Sequence, residues 1–170
     1  MLLEVAKLGP HPREFQYLIT AGEIDLETAG VAIADDTQVR GRARRDAAGV
    51  QLEGAIATVL DIDCTRCLTA VTTRVEVEFE VSFVDPANVS SERELQLDPA
   101  DLKADVLTGE EVDLNEIARE QVLLNLPEQT FCREDCRGLC ERCGQNLNEG
   151  DCGCDAADID PRWAALKELK

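Results

Sequence analysis

One histidine, one tryptophan, one tyrosine and one methionine stand in a chain of 170 residues, and aromatics make up only 4% of it. The histidine, His11, sits between Pro10 and Pro12 in a loop. No glycine-rich phosphate loop and no nucleophile elbow occurs, so the familiar catalytic constellations are missing. Nowhere do about eighteen apolar residues follow one another, which excludes a membrane-spanning helix read from hydropathy. The opening MLLEVAKLGPHPREF carries no basic leader ahead of an apolar run, and a soluble, unexported, cytoplasmic protein is expected. Basic residues are scarce: 17 against 35 acidic ones give a formal charge of -18. Such a surface repels phosphate backbones and attracts basic partners, so broad nonspecific nucleic-acid binding is disfavoured. The abundant carboxylates are read as a wet acidic face.

What the chain does have is alternation and cysteine. Odd positions from Val71 to Phe83 are apolar or Thr, and even positions from Thr72 to Ser82 are polar, the period of a strand with one wet face. Val50, Leu52, Ile56, Leu60 and Ile62 repeat that pattern, and VRGRARR from Val39 to Arg45 predicts a third strand. Loops DAAG and CTRC, read as hairpin turns, pair 45 with 50 and 63 with 68 and place Thr58 opposite Thr73. That register puts Arg42, Glu53 and Glu78 in one row of the polar face, and Arg40, Ala55 and Glu76 in another. The stripe Arg40, Arg42, Arg44 has the spacing of successive phosphates on an extended RNA, but cross-strand carboxylates are the simpler partners. Asp113 with Glu116 predicts a capping box opening a helix that Pro127 closes, with Leu114, Ile117, Ala118 and Val122 on one face. A connector containing Pro86 and Pro99 precedes it, and a short terminal helix is expected from Asp160, with Trp163, Leu166 and Leu169 in line. The fold class expected is α+β: an antiparallel β-meander covered by a helix in a core domain over 1–127. A cysteine-rich, metal-folded segment with the terminal helix follows over 128–170.

Eight cysteines in a reducing compartment point to metal or redox chemistry rather than disulfides. Between Pro127 and Asp158 the large apolar residues are Phe131, Leu139 and Leu147, too few to offset the ordering entropy of that stretch, so it folds around metal or not at all. Cys140-x2-Cys143 with Cys152-x-Cys154 makes a compact tetrathiolate set. Cys132-x3-Cys136 and Cys64-x2-Cys67 are half-sites that complete each other, tying the segment after the helix to the tip of a hairpin. One or two zinc ions are expected, the alternative being a single ion with the remaining thiols free. An iron–sulfur cluster also takes four thiolates. A dithiol oxidoreductase built on CTRC would need a helix N-terminus at its first cysteine, where here strand precedes and follows. A metal-folded interaction module is the other alternative class.

CTRCL at 64–68, LP at 126–127, CRGLCERCGQNLN at 136–148, CGC at 152–154 and DPRWAALKEL at 160–169 together resemble the bacterial YceD family, the large ribosomal RNA subunit accumulation proteins. Glu141 stands where that family often has proline, a change that disturbs no cysteine. The resemblance implies a non-enzymatic role in ribosome biogenesis, supporting accumulation of large-subunit (23S) ribosomal RNA. The partner it implies is a ribosomal protein or a large-subunit precursor particle, with direct RNA contact open and no membrane involved. An acidic protein in that role could shield a basic ribosomal protein or hold precursor RNA, and the charge favours the first.

Overall fold

The computed structural model describes residues 1–89, 104–154 and Arg162. The expected terminal helix and the Pro99 part of the connector lie outside the described residues. The chain divides into two compact units, one of Met1–Ile62 with Thr72–Glu128, the other of Asp63–Val71 with Gln129–Lys170.

The first unit is built on three long strands, β4 (Thr37–Arg45), β5 (Gly49–Asp63) and β6 (Ala70–Val84). Their alternation works as a strand with one dry face should: Val39, Val50, Leu52, Ile56 and Leu60 are buried, while Arg40, Arg42, Glu53 and Glu78 face water. Strand β2 (Arg13–Ile19) pairs antiparallel with β4, and the short β3 (Val31–Ile33) pairs with β5 beyond the end of β4. Strand β7 (Ala104–Val106) runs parallel to the end of β6, so the sheet is mixed rather than purely antiparallel. A separate ribbon of β1 (Leu2–Glu4) and β8 (Glu111–Asp113) leads straight into helix α1 (Leu114–Leu124). The helix buries Leu114, Ile117, Ala118 and Val122 in the same apolar cluster as the dry face of the sheet. Leu114, Ile117 and Val122 each contribute roughly 1.5–3 kcal/mol by leaving water, and Ala118 less. The architecture is α+β, as the periodicities predict.

Three local expectations need correction. The expected pairing of Arg45 with Val50 is present, but the loop between β5 and β6 is longer than four residues. Cys64 N bonds Thr69 O at 2.9 Å and Asp85 N bonds Ala48 O at 3.2 Å, so the β5–β6 register lies two residues from the expected one. The loop is a closed knuckle that absorbs two extra residues, and an even shift keeps every side chain on its face. It replaces Glu78 with Glu80 in the row of Arg42 and Glu53, and Glu76 with Glu78 in the row of Arg40. Thr58 is likewise served from the other neighbour: its hydroxyl and that of Thr37 share a buried hydrogen bond of 2.8 Å. Finally, Asp113 does cap α1, accepting from Asn115 N at 2.9 Å, but Glu116 bonds Arg119 instead of closing a capping box.

Candidate metal centres

All eight cysteines lie in the second unit and are free of disulfides. Their sulfurs gather into two sets of four, Cys64, Cys67, Cys132 and Cys136, and Cys140, Cys143, Cys152 and Cys154; within each set every sulfur is within 4.8 Å of the others. In the first set Cys64 Sγ lies 3.8 Å from Cys136 Sγ, and Cys67 Sγ 3.5 Å from Cys132 Sγ. A tetrahedral ion with metal–sulfur bonds of about 2.3 Å sets its sulfurs about 3.8 Å apart. A disulfide would bring them to about 2.05 Å. The donors therefore fit a single thiophilic ion. An iron–sulfur cluster places several irons between its thiolates and spreads them wider.

The chain prepares both sets in the same way. Cys64-Thr65-Arg66-Cys67 and Cys140-Glu141-Arg142-Cys143 form one knuckle used twice. Leu68 N bonds Cys64 O at 2.9 Å, and Gly144 N bonds Cys140 O at 2.8 Å. Cys64 N bonds Thr69 O at 2.9 Å, and Cys140 N bonds Gln145 O at 2.8 Å. The turn needs a left-handed fifth residue, supplied by Leu68 at φ 58 and Gly144 at φ 73. It also turns backbone amides onto the first sulfur. Burial pushes the Cys64 thiol up, but the amides of Cys132, Arg66 and Cys67 outweigh it and bring it down to about 6. The amides of Cys143 and Arg142 bring Cys140 down to about 6 as well. At the other extreme, the hydrogen bond that the Cys132 thiol donates to Cys67 pushes Cys132 up to about 12, and the bond that Cys154 donates to Cys152 pushes Cys154 up to about 12. Four adjacent thiols cannot all ionise against each other; a bound dication removes that conflict by becoming the largest charge in the site.

The two sets differ in depth. Cys64, Cys67 and Cys136 are buried and form a small core with Val71 and Leu139, whereas Cys140 and Cys152 are half-buried and Cys143 and Cys154 exposed. The loop carrying the first knuckle is held to the later segment by more than sulfur. Thr65 N bonds Thr130 O at 2.8 Å, and Leu139 N bonds Arg66 O at 3.1 Å. The Arg66 guanidinium lies 4.6 Å from the centre of the Phe131 ring and donates to Cys136 O at 3.0 Å. Gly138, at φ 76, packs against the Arg66 carbonyl so closely that a Cβ there would come within 3.1 Å of it. Sequence reasoning missed Arg66, whose signal was the shared C-x-R-C of the two knuckles. It also missed Asn148, which donates to Cys136 Sγ at 3.3 Å.

The arginine stripe lies on the wet face of the first unit. Arg42 pairs with Glu53, Arg44 donates to Gln51 Oε1 from Nε at 2.8 Å, and the Arg40 side chain has no hydrogen-bond or ion-pair partner among the described residues. An open groove of about 830 Å³ crosses the strands here, lined by Glu14, Gln16, Arg40, Glu53, Glu78 and Glu80 among others. No helix among the described residues is long and apolar enough to cross a membrane.

Fold and site together define a β-rich α+β protein with a paired tetracysteine unit able to hold metal. The chain belongs to the family described as large ribosomal RNA subunit accumulation protein YceD, whose model matches residues 52–170. An uncharacterized protein of Mycobacterium tuberculosis is 31% identical over 173 residues, covering 99% of this chain and 81% of the relative. The YlbN protein of Bacillus subtilis, also uncharacterized, is 24% identical over 92% of this chain and 87% of its own length. A chloroplastic YCED homolog of Arabidopsis thaliana, named as a large ribosomal RNA subunit accumulation protein, is 32% identical over 60 residues, 35% of this chain and 19% of the relative. No solved structure matches the chain.

Proposed function

We propose that this protein is a non-enzymatic, zinc-dependent factor for biogenesis of the large ribosomal subunit, acting in the cytoplasm. Membership of the YceD family over residues 52–170 carries the ribosomal part of the reading. Mononuclear tetrathiolate geometry carries the metal, and zinc is the redox-inert ion that suits it. Cys64, Cys67, Cys132 and Cys136 hold one ion; Cys140, Cys143, Cys152 and Cys154 hold the other. With a charge of -18, the favoured partner is a basic ribosomal protein kept soluble until it meets RNA. Arg42 and Arg44 are occupied by neighbours on their own sheet, which supports a protein partner over RNA at that stripe and leaves Arg40 as its one guanidinium without a partner among the described residues.

Deletion of the gene tests the role: mature 23S RNA falls and precursor particles accumulate, most visibly in the cold. Unchanged ribosome profiles under such stress overturn it. Capture of partners by crosslinking in cells separates the two modes. A ribosomal protein released by moderate salt supports shielding; precursor RNA held more firmly than any protein, and lost on Arg40→Glu, supports direct RNA contact.

A further inference from the structure

The side chain of Asn148 is saturated. Its Oδ1 accepts from the Arg137 amide at 2.8 Å and from Arg133 at 2.6 Å. Its Nδ2 donates to Asn146 Oδ1 at 2.9 Å and to Cys136 Sγ at 3.3 Å. Two acceptor sites and two N–H groups are all that an amide has, so these four partners fix which end faces the sulfur. Asn148 does not belong to the set that it touches. It sits in the loop between Cys143 and Cys152, whose two ends are ligands of the second set, while Cys136 is a ligand of the first. Backbone bonds from Leu147 N to Gly138 O at 2.9 Å, and the bridge between Leu139 and Asn146, set that loop against the chain joining the sets.

We infer that the two metal centres are coupled through Asn148: filling the second closes the loop that places an N–H on the Cys136 thiolate and so tightens the metal in the first. This rests on the reading of both sets as zinc centres. A metal-bound thiolate keeps much of its negative charge, and a hydrogen bond from outside the coordination sphere stabilises it. Partners of that kind are worth about 10–100-fold in metal affinity. With the second centre empty, the loop from Gly144 to Asp151 loses its closure at both ends, and ordering it to place one amide costs conformational entropy. Coupling of this kind is reciprocal, so metal in the first centre tightens the second by the same factor. The buried centre and the exposed one then fill and empty as a pair, and the unit answers zinc supply more steeply than two independent sites would.

The test uses the full chain loaded with zinc. A competing chelator is titrated in, and protection of each cysteine from alkylation is read by peptide mass spectrometry. Asn148→Asp keeps the acceptor contacts to Arg133 and Arg137 but sets a carboxylate against the sulfur. Cys132 and Cys136 should lose protection at about 10–100-fold lower chelator strength than in the parent. Cys140→Ser, which empties the second centre, should weaken the first to a similar extent. Combining the two should weaken it by less than about two-fold more, because both remove one interaction. With cobalt in place of zinc, Asn148→Asp should move the sulfur-to-metal charge-transfer band of the first centre to lower energy, a change that general loosening does not produce. A first centre unchanged by Asn148→Asp, or effects that multiply, overturns the coupling. Should Asn148→Asp fail to fold, Cys140→Ser decides, and parental affinity at the first centre overturns it. A parent that binds fewer than two zinc ions instead overturns the reading of two centres.

Discussion

Leu68 adopts a left-handed conformation at φ 58 that its Cβ resists, at the place where the second knuckle has Gly144. Such a conformation costs a non-glycine residue on the order of 1 kcal/mol or more, and Leu68 is 60% exposed, so it recovers little by packing. Leu68→Gly should therefore stabilise the zinc-loaded protein by about 1 kcal/mol, after allowing for the extra freedom glycine gives the unfolded chain. Denaturant unfolding measures this, and a lower midpoint would show that Leu68 has a contact worth more than its strain. The grouping of cysteines was legible at this scale because C-x2-C and C-x-C spacings leave few ways to share four sulfurs. Asn148 was not legible: an asparagine in a polar loop is ordinarily a turn residue, and nothing in its spacing shows the sulfur of Cys136 beside it.

At the scale of elements, the loop between β5 and β6 ties together residues far apart in the chain, while the second knuckle and its partner cysteines lie within Cys140–Cys154. Closing the longer loop costs more entropy, which a metal held by the first set would offset. Cys64→Ser should remove one zinc and lower the thermal transition of the sheet. Cys140→Ser should remove one zinc and leave that transition nearly intact, since a structural zinc of roughly 10–16 kcal/mol tolerates the weakened first centre. Calorimetry with metal analysis checks both, and equal transitions for the two variants would contradict the division of labour. The strands β4, β5 and β6 and the helix α1 were readable because alternation and a capping aspartate are local signals. The β5–β6 register was not, because the knuckle hides two residues in a turn whose bonds, Leu68 N to Cys64 O above all, depend on conformation rather than on residue type. Strand β7 and the ribbon of β1 with β8 are three residues each, too short to carry a period.

Across the whole molecule the formal charge of -18 sets the long-range behaviour. Association with a basic ribosomal protein should slow and weaken steeply as salt shortens the Debye length below about 8 Å. Surface plasmon resonance over a salt series measures this, and a flat response would mean that an apolar surface drives binding. Everything proposed for the cysteine sets depends on metal, because Phe131, Leu139 and Leu147 are too few large apolar residues to offset the ordering entropy of the stretch between Pro127 and Asp158. The most direct test is elemental analysis of the full chain purified under reducing conditions. Two zinc ions per chain and no iron are expected, each ion lost with one cysteine set; one ion, none, or iron with acid-labile sulfide would overturn the reading of two zinc centres.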